Sequence, residues 1–228
     1  MFARSALRLP FNFLLIKGKA DFILAIVMFI ILLPFIFLAA LILTILLKSS
    51  PFIMQARGIT GEHKIFKIFK FKTIIIDKTN VNINGGNILY KPHLAEYIPA
   101  FCGWLRKSGL DELPQIINVL KGEMSFIGPR PLMISDVELL RLNYPELYRD
   151  RQSIKVKPGI TGLWQVYGDR NKGIKNLVAL DLEYNERACL WLDLKIIAAT
   201  VLLVLSGKHS DAIIQGITGN RKIKRQVC

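Results

Sequence analysis

Charge is missing from one long stretch of this chain. Between Asp21 and Lys48 no charged residue occurs, and Thr44 is the one polar side chain in residues 22–47. A run this apolar excludes an ordinary surface helix, which needs a polar face, and marks a membrane segment. Cysteine is also scarce: Cys102, Cys189 and Cys228 are odd in number and far apart, and His63, His93 and His209 are scattered. With no Cys-x-x-Cys pair present, the pattern argues against a disulfide framework or a zinc site, and a reducing, cytoplasm-facing setting is expected. Cys102 and Cys189 are read as small buried hydrophobes. Acidic residues are few, 17 against 31 lysines and arginines, leaving a formal charge of +14. Such an excess needs an anionic partner or surface. No cleavage site of the A-x-A kind follows the apolar run, which is too long for a signal-peptide core, so the segment is expected to remain in the mature protein. No internal repeat or low-complexity linker is present.

Pro34 stands at the middle of the uncharged run. As straight helix its 26 residues reach about 39 Å, more than the roughly 30 Å hydrocarbon core of a bilayer. Proline removes a backbone donor and clashes with the carbonyl four residues back, where no water can repair the loss. Broken there, each half has about 13 residues and is too short to cross. Basic residues flank both ends: Arg4, Arg8, Lys17 and Lys19 before, and Lys48, Arg57, Lys64, Lys67, Lys70 and Lys72 after. Lys and Arg tend to stay on the cytoplasmic side, so the pattern favours a re-entrant hairpin that turns at Pro34 and returns to the same face. A kinked spanning helix is the alternative.

The first anionic candidate is then the cytoplasmic leaflet, at about 1 kcal/mol per basic residue near the surface. Nucleic acid is disfavoured, because the basic residues of 64–72 alternate with large apolar ones. That alternation reads as a strand with one charged and one apolar face, with Phe66, Ile68 and Phe71 in a core rather than stacked on bases. Roughly 180 residues follow the apolar run, enough for one compact domain. Residues 80–87, with Gly85-Gly86, read as a loop. Leu113, Ile116, Ile117 and Leu120 repeat at helical spacing, with Gln115 and Asn118 expected to face away from the core, and Lys121-Gly122 ends the helix.

The chemistry gathers before that helix. Ser108 lies three residues ahead of Asp111, a capping-box-like spacing, and Pro114 is tolerated only in a first turn, so Asp111 and Glu112 are expected there. Acidic residues in a first turn can do no more than stabilise the helix dipole, by about 0.3–1 kcal/mol each. Here, however, Arg106, Lys107 and Arg130 surround them, and free first-turn N–H groups favour phosphate. One carboxylate could attack phosphorus, being ionised at neutral pH without a general base, while the other holds Mg²⁺. Pro129 and Pro131 preset the direction of Arg130 for phosphate. Further on, Pro158-Gly159 opens a turn before an apolar strand, where Lys157, Thr161 and Gln165 could read a nucleotide or sugar.

In order along the chain stand the proline-interrupted apolar segment, Lys-Phe-Lys-Thr (70–73), Leu-Asp-Glu-Leu-Pro-Gln (110–115), Gly-Pro-Arg-Pro (128–131), Lys-Pro-Gly-Ile-Thr-Gly (157–162), and residues 181–195 with Asp181, Tyr184 and Asp193. Together these resemble the bacterial sugar transferases, or monotopic phosphoglycosyl transferases, over residues 19–208. The resemblance implies transfer of a sugar 1-phosphate from a UDP-sugar to polyprenyl (undecaprenyl) phosphate with release of UMP, the first membrane step of surface polysaccharide or glycan assembly. It makes Asp111 the nucleophile of a covalent phosphosugar intermediate and Glu112, with Asp111, the holder of Mg²⁺. Lys70, Lys72, Arg106, Arg130, Lys157, Thr161 and Gln165 are the expected substrate-binding residues.

The expected fold is α+β, mostly α. A membrane hairpin broken at Pro34 spans residues 1–48, a cytoplasmic catalytic domain with interfacial amphipathic helices and few short strands spans 49–208, and a basic tail spans 209–228. The apolar run 196–205 is expected to be one such interfacial helix. The expected location is the cytoplasmic face of a bacterial inner membrane, against its lipid surface, with no nucleic acid partner and a homodimer left open. A non-catalytic membrane scaffold of a glycan assembly complex is the competing reading. Three positions depart from the family pattern: Leu33 replaces the usual serine before the proline, and Lys72 and Lys157 replace arginines, keeping charge but losing the planar fork.

Overall fold

The computed structural model describes residues 11–58, 65–73 and 98–206; the expected loop 80–87 and the basic tail 209–228 lie outside the described residues. The apolar N-terminal segment does not form a hairpin of two helices: α1 (Phe11–Leu47) runs as one helix with Pro34 inside it. The expected break at Pro34 is therefore not an interruption of the helix. Packing on both sides of the proline explains its continuity. Ala25, Met28, Phe29 and Leu32 pack on Ile68, Ile116, Val119 and Met124, while Phe35, Ile36, Ala39 and Leu43 pack on Phe71, Cys102 and Leu105. Among the described residues α1 is the one helix long and apolar enough to cross a membrane.

After α1 the chain forms β1 (Phe52–Gly58) and β2 (Phe66–Phe71), antiparallel with Phe52 opposite Phe71 and Arg57 opposite Phe66. The short β4 (Leu132–Met133) pairs with the other side of β1, giving the order β2-β1-β4. The alternating segment is thus a strand, with Ile68 and Phe71 buried and Phe66 half-buried. Ile68 and Phe71 point to opposite faces and enter different clusters, so neither face of β2 is wholly charged.

Helix α2 (Ala100–Ser108) stops at Gly109, which takes the left-handed conformation at φ 75°. A 3₁₀ turn (Leu110–Gln115) follows and leads into α3 (Ile116–Leu120). This corrects two expectations. Ser108 is the last residue of α2 and donates to the carbonyls of Trp104 and Leu105 at 2.9 and 3.1 Å, so it caps nothing ahead of it. Gln115 and Asn118 are buried, not turned away. Asn118 fastens the free edge of β2: its Oδ1 accepts from Phe69 N at 3.0 Å, and its Nδ2 donates to Lys67 O and Glu123 Oε2, each at 2.7 Å. Satisfying an edge strand with a buried amide outweighs the apolar stripe as a guide to burial.

Next come β3 (Ser125–Ile127), α4 (Ile134–Asn143), α5 (Pro145–Gln152) and β5 (Gly159–Thr161), with β3 and β5 parallel. The apolar segment after Gly162 is helix α6 (Leu163–Tyr167) and not the expected strand, because the glycine ends β5. Helices α7 (Gly173–Arg187) and α8 (Leu190–Leu205) complete the largest core, around Leu140, Trp164, Leu177, Val178, Tyr184 and Ile196. The result is mostly helical with a few short strands, the α+β class expected. Cys102 is fully buried, and burial pushes its thiol up, as expected of a structural cysteine; Cys189 is partly exposed.

Candidate active site

Asp111 and Glu112 occupy the first turn of the 3₁₀ segment and are nearly buried. The tighter helix matters for what surrounds them. At three residues per turn, positions i and i+3 eclipse, so Gln115 stands directly over Glu112 whereas an α-helix would set them about 60° apart. Both line one cleft, open to solvent, with Arg57 of β1, Ile68 and Lys70 of β2, Arg130-Pro131, and Gly159-Ile160 of β5. Lys70 and Glu112 form an ion pair within it. Three cations and one carboxylate therefore converge on one small cavity, a charge balance that suits a phosphorylated ligand.

Close backbone approach builds the floor. A Cβ on Gly159 would lie 2.1 Å from Gly128 N, and one on Gly162 would lie 2.1 Å from Gly128 O. Only glycine permits the Gly-Pro-Arg-Pro and Lys-Pro-Gly-Ile-Thr-Gly segments to interlock this tightly. Gly128 N donates to Thr161 O at 2.9 Å and Gly159 N to Pro129 O at 3.0 Å, which ties the two motifs together.

Of the residues expected to bind substrate, Lys70 and Arg130 join Glu112 at the cleft, with Asp111 next in the chain. The others lie elsewhere. Lys72 donates to Ser49 Oγ at 3.0 Å, and Arg106 Nη1 to Thr73 Oγ1 at 3.3 Å. Lys157 is exposed. The Thr161 hydroxyl shares a 2.8 Å hydrogen bond with Thr200 of α8. Gln165 is buried, and neither amide atom has a hydrogen-bond partner among the described residues. Sequence reasoning missed Arg57 and Gln115 as cleft residues. Gln115 carried a signal in its three-residue spacing from Glu112; Arg57 sits in a strand without a motif and carried none.

The carboxylates also bear on a divalent ion. Among the described residues no group of three or more His, Cys, Asp or Glu side chains gathers. Adjacent Asp111 and Glu112 beside the Gln115 amide offer oxygen donors, which suits Mg²⁺ completed by water and substrate phosphate rather than an all-protein cage.

This fold and cleft belong to a recognisable class. Residues 13–207 match the bacterial sugar transferase family, and the chain belongs to it. It is 35% identical over 203 residues to the UDP-glucose:undecaprenyl-phosphate glucose-1-phosphate transferase of Xanthomonas campestris pv. campestris, covering 86% of this chain and 40% of that protein. With the protein of the same name in Escherichia coli (strain K12) it shares 33% identity over 82% of this chain and 39% of that one. With the exopolysaccharide production protein ExoY of Sinorhizobium fredii (strain NBRC 101917 / NGR234) it shares 30% identity over 85% of this chain and 87% of that one. The chain thus spans less than half the length of the first two relatives.

Proposed function

We propose that this chain moves a sugar 1-phosphate from a UDP-sugar to undecaprenyl phosphate and releases UMP. The observation that carries the proposal is Glu112 at a cleft with Arg57, Lys70 and Arg130, with Asp111 beside it in the same 3₁₀ turn, in a chain whose relatives are named for this transfer. In this reading an Asp111 carboxylate oxygen attacks the phosphorus that carries the sugar. The bond from that phosphorus to the bridging oxygen breaks, and UMP leaves with the electron pair. An oxygen of undecaprenyl phosphate then attacks the same phosphorus and restores Asp111. Arg57 and Arg130 neutralise the diphosphate, and Lys70 exchanges Glu112 for phosphate oxygen as substrate enters. Mg²⁺ held by Glu112 and Asp111 would supply further charge neutralisation when bound. The test is UMP release across a set of UDP-sugars with undecaprenyl phosphate in detergent. One sugar is expected to support turnover; release with none of them would contradict the proposal and favour a non-catalytic scaffold.

The same reading puts the protein on the cytoplasmic face of the inner membrane, with α1 held in one leaflet and both of its ends on that face. Contacts along the whole of α1 support it. Phe13 and Leu14 pack on the main core and Leu43 on the Cys102 cluster, so both ends of the helix rest on a domain too polar to enter lipid. A helix crossing to the far side would carry its second half away from that domain. The opposite side of α1 exposes Ile23, Ile30, Ile31, Phe37 and Ile45. Helix α8 exposes Leu190, Trp191, Leu194 and Leu202, with Lys195 Nζ 5.3 Å from the Trp191 ring, an interfacial pattern. Reporter tags placed before Lys17 and after Lys48 are expected on the same, cytoplasmic side; tags on opposite sides would mean a spanning helix.

A further inference from the structure

Arg130 reaches the cleft from a peptide held on both faces. Its N–H donates to Asp181 Oδ1 at 3.2 Å, and its carbonyl accepts from Arg151 Nη2 at 2.5 Å. Arg151 Nη1 is ion-paired with Asp181 Oδ2, which closes a ring through the Arg130 peptide. Arg151 comes from α5 and Asp181 from α7, and their side chains are 0% and 1% exposed. Neither lines the cleft. With Gly128 N on Thr161 O and Pro129 O on Gly159 N, and with no N–H on Pro129 or Pro131, the backbone of this segment is fastened at four points.

Burying this pair is costly. Stripping two ions of water offsets most of their attraction, and an apolar pair of similar shape is often as stable or more so. Burial pushes the Asp181 carboxyl up from its ordinary range, with Arg151 opposing the shift. What an apolar pair could not supply is one acceptor and one donor aimed at the two sides of a single peptide. We propose that Arg151 and Asp181 are positioning residues for substrate phosphate, acting through the backbone of Arg130 to fix the direction of its guanidinium. This rests on the reading of the cleft as a UDP-sugar site. Preorganisation of this kind lowers the ordering cost of binding and keeps the donor aligned as charge shifts on phosphorus.

The test uses the full chain in detergent, with UDP binding and UMP release measured separately. Arg151→Lys keeps the charge opposite Asp181 but cannot donate in parallel to both partners. It is expected to keep a melting temperature near that of the wild type, to weaken UDP binding, and to lower kcat/KM about 100-fold. Adding Arg130→Ala to it should bring little further loss, because both changes remove the same interaction. A second variant, Arg151→Met with Asp181→Leu, removes the ions and fills their space; it should fold and show the same loss. Wild-type UDP affinity and kcat/KM in a folded variant would overturn the proposal. So would losses that multiply with that of Arg130→Ala, failure of both variants to fold, or absence of UDP binding by the wild type. If the wild type binds UDP with the expected variant pattern but releases no UMP with any sugar, the clamp stands and the catalytic reading fails.

Discussion

Asp111→Asn is expected to lower UMP release by about 10⁴-fold or more, since a carboxamide of nearly the same shape has no anionic oxygen to offer phosphorus. The substitution keeps the size of the side chain and its place in the first turn of the 3₁₀ segment. UDP-sugar binding should therefore change far less than turnover, giving a fall in kcat with KM nearly unchanged, the signature of a lost transition-state contact. Glu112→Gln should act differently. Glu112 is ion-paired with Lys70, so its loss frees Lys70 and weakens the oxygen set available to Mg²⁺, affecting KM and metal dependence together. The wild type should also show ping-pong kinetics, because UMP leaves before undecaprenyl phosphate reacts. Retention of turnover by Asp111→Asn would require direct transfer between the two substrates.

The second large effect is structural and lies at the start of α1. Lys17 is buried, with Nζ 2.6 Å from Asp193 Oδ2 and 3.9 Å from Asp21 Oδ2. The Tyr184 hydroxyl lies 2.7 Å from Asp193 Oδ1 and 3.1 Å from Ile127 O, and burial together with Asp193 pushes its pKa up. Asp21 accepts from Ser125 Oγ at 2.6 Å. One cation thus serves two carboxylates that tie α1 to α8, α7 and β3. Lys17→Met leaves both carboxylates buried without it, and is expected to destabilise the protein by about 3–5 kcal/mol. For a chain of this size that lowers the melting temperature by roughly 6–20 °C. Adding Asp193→Leu should recover part of the loss. The exposed pair Arg141–Glu138 is the control: Arg141→Ala should leave the melting temperature unchanged within error. Equal, small effects of both substitutions would show that the buried cluster does not fasten the helix.

Lys17 also shows where a sequence stops being readable. As text it is one more basic residue beside an apolar run, and nothing local names Asp193, 176 positions away, as its partner. Glu112, Arg130 and Lys70 were legible as neighbours at one cleft because each sits in a short motif whose prolines, glycines or alternation restrict the backbone. The strand 66–71, the end of α3 just before Lys121-Gly122 and the helix over 196–205 were legible for the same reason, since local pattern and local structure agree there. Gln115 and Asn118 were misread because an apolar stripe counts side chains and ignores the backbone edge that Asn118 satisfies. Ser108 was misread because Gly109 ends one helix where the spacing suggested the start of another. Pro34 was read from its local cost and from the basic flanks, whereas α1 continues as one helix that packs on both sides of it. Thr161 carries a hydroxyl that chemistry could use, yet Thr200 engages it.

The covalent step through Asp111 is the centre of this account, and intact-protein mass spectrometry reads it most directly. Wild-type protein incubated with its UDP-sugar and Mg²⁺, without undecaprenyl phosphate, should gain the mass of one sugar phosphate while one equivalent of UMP is released. The added mass should map to the peptide that contains Asp111, disappear when undecaprenyl phosphate is supplied, and never form on Asp111→Asn. Full turnover with both substrates, but no mass gain and no UMP release when undecaprenyl phosphate is omitted, would contradict it.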